Sequence, residues 1–332
     1  MPVRLSPARP EGPLLRALPD DPPRSIEAGL VLARDLGRRS DGPGEGTTTD
    51  LWETLATLAS ADLGGARVVE PHLDAVAILR QAGNPVPDGV WGVFAAEGGG
   101  DPLVATVGDD GFRLSGTKPW CSLADRLDGA LVTAATADGE RGLYAVSLRD
   151  PGVEIVAGAW HARGLSELPS GPVRFSGVAA TPVGAPGWYL SRPGFEWGGI
   201  GVAACWFGGA VGVARAVHAA AAAKPNPFLL MHLGAIDRGL EDARRALAEA
   251  AALVDARAGG DRILAKRVRA TVASVAEDVI ARAGHALGPA PLALDAEHAK
   301  RVADLTLYLR QHHAERDLES LGATLAGEPA PW

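Results

Sequence analysis

Two adjacent histidines stand near the C-terminus, His312 and His313 in "RQHHAERD" (Arg310 to Asp317). Histidine is the side chain whose charge changes closest to neutral pH, so one of them in a cleft can take or give a proton. Neighbouring helical side chains point about 100° apart, so only one of the pair can face a site. Asp317 follows His313 at helical i,i+4 spacing and can orient its ring. The alternative is a solvated polar face over "RQHHAERDLES". Two adjacent histidines cannot chelate from one face and no third ligand lies at a suitable spacing, so no metal site is expected.

A second stretch, "GFRLSGTKPWCSLADRLDGALVTA" (Gly111 to Ala134), reads as strand, tight connection, strand, with Trp120, Cys121 and Ser122 between. Tryptophan is costly to leave on a turn, so Trp120 and Ser122 either line a binding site or cap the β domain and satisfy the turn. Cys121 is expected to be a buried, inert thiol. In "FAAEGGGD" (Phe94 to Asp101) the glycines let backbone N–H groups come close to a ligand. A flexible hairpin loop is the alternative there.

These residues must be carried by a chain of 332 residues, 47% hydrophobic and 22% charged, enough for two or three packed domains. The formal net charge of −8 argues against a nucleic-acid binder. Two cysteines far apart suggest neither a disulfide framework nor a zinc motif, and a reducing cytoplasm is the simple expectation. The Pro-rich start lacks the apolar core of a signal peptide. The uncharged run Trp197 to Ala214 is long enough to consider as a membrane span, but its glycines fit a closely packed, buried helix better, so no membrane is expected.

Three zones follow along the chain. Residues 1–84 are Pro-rich and then helical, with Pro71 expected to break the helical stretch in two. Residues 85–190 carry short apolar runs between Asp-Gly and Asp-Pro-Gly turns, which predicts an antiparallel barrel or sandwich. Residues 191–332 predict four long helices, about 196–223, 229–257, 262–286 and 294–321, in an up-down bundle. The fold class is therefore α+β: N-terminal helices, a central antiparallel β-barrel or sandwich, and a C-terminal four-helix bundle.

That order resembles the acyl-CoA dehydrogenase family. The stretch Gly111 to Ala134 is similar to the family's Gly-x-x-Leu-x-Gly-x-Lys-x-aromatic-x-(Ser/Thr) pattern. "FSGVAATPVG" (Phe175 to Gly184) is similar to its Phe-x-x-Val-x-x-Pro strand, and "HALGPAPL" with "RVAD" (Arg301 to Asp304) stands where the family has a Gln-x-x-Gly-Gly loop and an Arg-Asp helix. The resemblance implies FAD, with Trp120 packed on the isoalloxazine and Ser122 at its polar edge. It implies that Ala96, Glu97, Gly98 and Gly99 stand in the place of the family's Thr-Glu-Pro-x-x-Gly-Ser-Asp segment. It also implies a small-molecule substrate, possibly acyl-CoA, and a homodimer or homotetramer.

The chain departs from the family in its chemistry. The C-terminal Tyr-Glu-Gly-Thr, whose Glu removes the α proton of the thioester, is absent. Its position falls at His312 or His313. The Arg-x-x-Phe-Gly segment that helps bind the neighbour's FAD is also missing. His72 in "EPHLDA" is expected to reach the same cavity from the helical domain. The leading expectation is an FAD-dependent oxidoreductase related to α,β-dehydrogenation of an acyl thioester. The alternatives are a flavin monooxygenase on the same fold, using His312 or His313, and a non-catalytic partner subunit.

Overall fold

The Pro-rich start is ordered by carboxylates reaching from later helices. In the computed structural model, which describes residues 1–98, 102–258 and 261–327, a short α1 (Pro13–Arg16) is capped by Asp50, which accepts from Leu14 N at 2.8 Å and Leu15 N at 3.0 Å. Ser25 caps α2 (Ile26–Arg39) by accepting from Ala28 N. The next two helices, α3 (Thr48–Ala61) and α4 (Leu63–Gln81), meet at Asp62, whose carboxylate caps α4 through Gly65 N. The break expected at Pro71 is not there: α4 runs straight through it. Fourteen of the 19 residues of α4 are buried, and that packing outweighs the cost of an internal proline, about 3 kcal/mol.

The middle of the chain forms seven strands: β1 (Trp91–Phe94), β2 (Val104–Gly108), β3 (Gly111–Lys118), β4 (Gly129–Ala135), β5 (Arg141–Ser147), β6 (Val153–Ile155) and β7 (Val173–Pro182). Pairing runs β4–β2–β3–β7–β5 and returns to β4, so the sheet closes on itself, with β1 and β6 added at the flanks. The turn at Asp109 and Asp110 joins β2 to β3, as expected for a hairpin. Two pairs correct the all-antiparallel expectation, because β1 and β2 both run parallel to β4. The cause is the connection over residues 119–128. It is a crossing, not a tight turn, and it inserts β4 between β1 and β2. Trp120 and Leu123 in that crossing both adopt left-handed backbone, at φ 59° and φ 56°.

A four-residue α5 (Trp188–Ser191) leads into the helical layer: α6 (Pro193–Ala223), α7 (Pro227–Asp255), α8 (Asp261–Leu287), α9 (Pro289–Leu294), α10 (Ala296–Tyr308) and α11 (Glu315–Ala326). The fourth long helix expected over 294–321 is divided. After α10 the chain makes a 3-10 turn at Leu309–Gln311, His312 is extended, and Ala314 sits at φ 44°. The histidine pair lies in this break. Asp317 accepts from His313 N at 3.0 Å and so starts α11.

Helix α6 is apolar and long enough to cross a membrane, yet 78% of that stretch is buried within the protein. It is the axis of the layer, packed by α3, α7, α8 and α10. Glycine lets α3 come close: a Cβ on Gly208 would stand 2.1 Å from Ala56 O. Gly208→Ala should therefore destabilise the protein by about 2 kcal/mol or more despite the better helix former. The control is Gly234→Ala on α7, where a Cβ meets nothing within 4 Å and a gain of up to about 1 kcal/mol is expected. Denaturant midpoints of the two variants check this, and equal shifts would contradict it.

Candidate functional site

Trp120 presents its indole outward: it is 59% exposed, although its left-handed backbone is costly for a bulky residue. Trp160 stands edge-on to it, ring centroids 6.4 Å apart and planes at 89°. Both are held from beneath. Cys121 N donates to Gly171 O and Leu123 N to Pro169 O, while Trp160 Nε1 donates to Leu165 O at 3.2 Å. Ser122 is half-buried and its hydroxyl lies 2.8 Å from that of Ser170, which in turn donates to Leu168 O. The segment after β1 completes the surface. Ala96, Glu97 and Gly98 are exposed, and Gly98 lies beside Pro119 and the Trp120 indole. Glu97 turns back to Lys118 and Arg141 instead of outward. Gly99 lies outside the described residues. Cys121 is buried, and burial pushes its thiol up to about 12, so it is inert as expected.

The histidine pair divides, although it lies in the break and not on a helix. His313 is outward, with its side chain 61% exposed and Nδ1 3.5 Å from Asp317. His312 is inward, edge-on to the buried Trp206 at 6.2 Å. Its Nδ1 accepts from Ala314 N at 3.0 Å, so the neutral ring carries its proton on Nε2. That Nε2 is buried and makes no hydrogen bond, with Asp317 Oδ2 3.9 Å away. Burial lowers the His312 pKa, Asp317 pulling the other way, so the ring is neutral at pH 7.

His72 does not join them. It sits where α4 meets β1, its Nδ1 accepting from Trp91 N at 3.1 Å, with Arg34 and Asp128 as its charged neighbours. Its position on the apolar stripe of α4 gives it a packing role. Burial, then Arg34, lowers its pKa to about 4.

Among the helices lies a buried ionic cluster that sequence reasoning missed. Arg67 Nη1 lies 2.7 Å from Glu70 Oε2, and the Arg67 guanidinium covers the Tyr308 ring. Asp74 pairs with Arg192 at 3.6 Å, and Arg192 donates to Gln81 at 2.6 Å. Arg192 is 5% exposed. Arg269 lies over Trp206 and donates to Gly199 O and Gln311 O, fastening the break before α11. Burial raises the Glu70 pKa to about 7 against the pull of Arg67, and raises that of Asp74 against Arg192. One signal was available: Arg67, Glu70 and Asp74 recur at three- and four-residue spacing on a helix otherwise buried all round. Among the described residues no group of three His, Cys, Asp or Glu could hold a metal.

No protein-family model matches the chain, and no curated protein does. Solved structures do. Dibenzothiophene monooxygenase TdsC from Paenibacillus sp. A11-2, in its FMN-bound form, superposes with a TM-score of 0.75 at 19% identity, covering 92% of this chain and 90% of that one. Butyryl-CoA dehydrogenase from Megasphaera elsdenii gives 0.78 at 16%, covering 91% and 90%. KijD3, in complex with FMN and a dTDP-sugar, gives 0.75 at 18%, covering 97% and 96%. The chain therefore has the acyl-CoA dehydrogenase-like fold.

His72 generates a pH prediction. Its folded pKa is depressed, so below about 6.5 the unfolded chain takes a proton that the folded chain refuses. Stability should fall as pH drops from about 6.5 to about 4, by on the order of 3 kcal/mol from this residue. His72→Asn, which can still accept from Trp91 N, should flatten urea-unfolding stability across that window. An unchanged slope would contradict the assignment.

Proposed function

We propose that this protein is a flavin-dependent oxidoreductase acting as a monooxygenase on reduced flavin and dioxygen. The exposed Trp120 carries the flavin part of the reading. An indole held open to solvent on left-handed backbone, flanked by Trp160 and the side-chain-free Gly98, fits a flat aromatic ring. FMN is the form proposed. The FMN-bound TdsC and KijD3 share the fold, and the Arg-x-x-Phe-Gly segment associated with FAD is missing from the chain.

Trp120 would pack against the ring and keep water from that face, with Ser122 and the Gly98 backbone at its edge. When bound and reduced, the flavin supplies two electrons, so that one atom of dioxygen enters the substrate and the other leaves as water. His312 supports the monooxygenase form. It is a neutral imidazole whose Nε2 proton makes no hydrogen bond, in the region where a dehydrogenase of this fold would need a carboxylate. It can hold or hand over that proton at neutral pH. A small-molecule substrate, a cytoplasmic setting and a homodimer or homotetramer belong to the same proposal. The exposed Phe228, Leu230 and Met231 on α7 support a subunit contact.

A second reading, α,β-dehydrogenation of an acyl thioester, is favoured by Glu70, whose pKa of about 7 suits a base. One experiment separates the two. The protein is mixed with photoreduced FMN, indole or dibenzothiophene, and isotopically labelled dioxygen. Label in the product is expected, with a loss of about a hundredfold in His312→Ala and little change in His313→Ala. No labelled product, together with bleaching of bound oxidised flavin by butyryl-CoA without oxygen, would overturn the monooxygenase reading and favour Glu70.

A further inference from the structure

Lys118, the last residue of β3, is a buried cation whose side chain is only 2% exposed. Its Nζ lies 2.7 Å from Thr133 Oγ1 and 3.0 Å from Glu97 Oε1. Thr133 donates to the same Glu97 oxygen at 3.1 Å, and Arg141 Nε stands 3.3 Å from it. Burial lowers the Lys118 pKa and Glu97 pulls it back up. Burying an ammonium is expensive, and replacing a buried ion pair as a whole by apolar side chains is often neutral or stabilising. Stability alone therefore gives no reason for a lysine here.

Its connections give one. Glu97 belongs to the segment leaving β1, while Lys118 is followed directly by Pro119 and Trp120. One ion pair thus joins the two strand exits that flank the aromatic surface. Gly98, next to Glu97, lies against Pro119 and the Trp120 indole. On the other side Cys121 Sγ donates to Lys118 O at 3.3 Å, closing the turn around Trp120. We propose that Lys118, acting through Glu97, is a positioning residue that holds Gly98 and Trp120 together as one surface for the flavin ring. The ligand rests on the function proposed above; the geometry does not.

The test compares wild type, K118M, E97Q and W120F by thermal midpoint, FMN affinity and near-ultraviolet circular dichroism. The dichroism reads the edge-on Trp120–Trp160 pair without any flavin. K118M leaves the half-exposed Glu97 with Arg141 and Thr133, and should melt near the wild-type temperature. It should lose the tryptophan signal that W120F also loses, and bind FMN about tenfold more weakly or worse. E97Q should move the same way by less. A K118M protein with the wild-type signal and affinity would overturn the proposal. If K118M instead melts below wild type, E97Q at its half-exposed site decides, and an unchanged signal and affinity there overturn it. If wild type binds no FMN, the flavin reading fails and the dichroism alone decides: signal lost in K118M supports the positioning role, signal kept overturns it.

Discussion

Asp304 joins the helices to the loop between β6 and β7. Its carboxylate is almost wholly buried on α10 and accepts from Leu165 N at 2.6 Å. The other oxygen takes Lys300 Nζ at 2.6 Å, and Lys300 also reaches Asp62 and Glu167. Burial raises the Asp304 pKa, while Lys300 and the Leu165 N–H stabilise its charge. This contact links the aromatic surface to the helices. On one side, Leu165 O holds Trp160 and so the aromatic surface. On the other, α10 runs on to the break that carries His312. Gly164 permits the approach, since a Cβ there would stand 2.1 Å from Ala303 O.

Two kinds of polarity meet around that junction. The outer surface is aromatic and open, at Trp120 and Trp160. The interior is ionic and closed, at Arg67, Glu70, Asp74 and Arg192. Buried pairs of this sort contribute little net stability, because desolvation offsets their attraction. What they do here is hold charges at fixed places beside Tyr308. The same principle applies at Lys118, on a smaller scale.

The sequence was informative where local chemistry decides the structure. The hairpin at Asp109 and Asp110, the three-zone order and the buried character of α6 could all be read from it. It was misleading where distant packing decides. Pro71 reads as a breaker, and only the burial of α4 on nearly every side keeps the helix whole. His312 and His313 read as two positions on one helix. A positive φ at Ala314 and the Asp317 cap divide that helix, and neither leaves a mark in the residue pattern. Of the proposed site, the family resemblance pointed to Trp120, Gly98 and His312; the structure sets Gly98 beside Trp120 and turns His312 inward against Trp206. Lys118 stood in the quoted pattern, but its burial and its pairing with Glu97 could not be read, because nothing in the sequence says that a lysine at a strand end is buried. His72 was legible only as a histidine.

The central claim is that Trp120 takes the flavin ring, and an FMN titration of wild type and Trp120→Ala tests it most directly. Quenching of protein fluorescence and perturbation of the visible flavin bands are followed together. The account predicts saturable quenching in wild type and a loss of affinity of tenfold or more in the variant, since an aromatic stacking contact on a flat ring is worth about 1–3 kcal/mol. Equal affinity in the two proteins, or no binding to either in the oxidised or the reduced state, would contradict it.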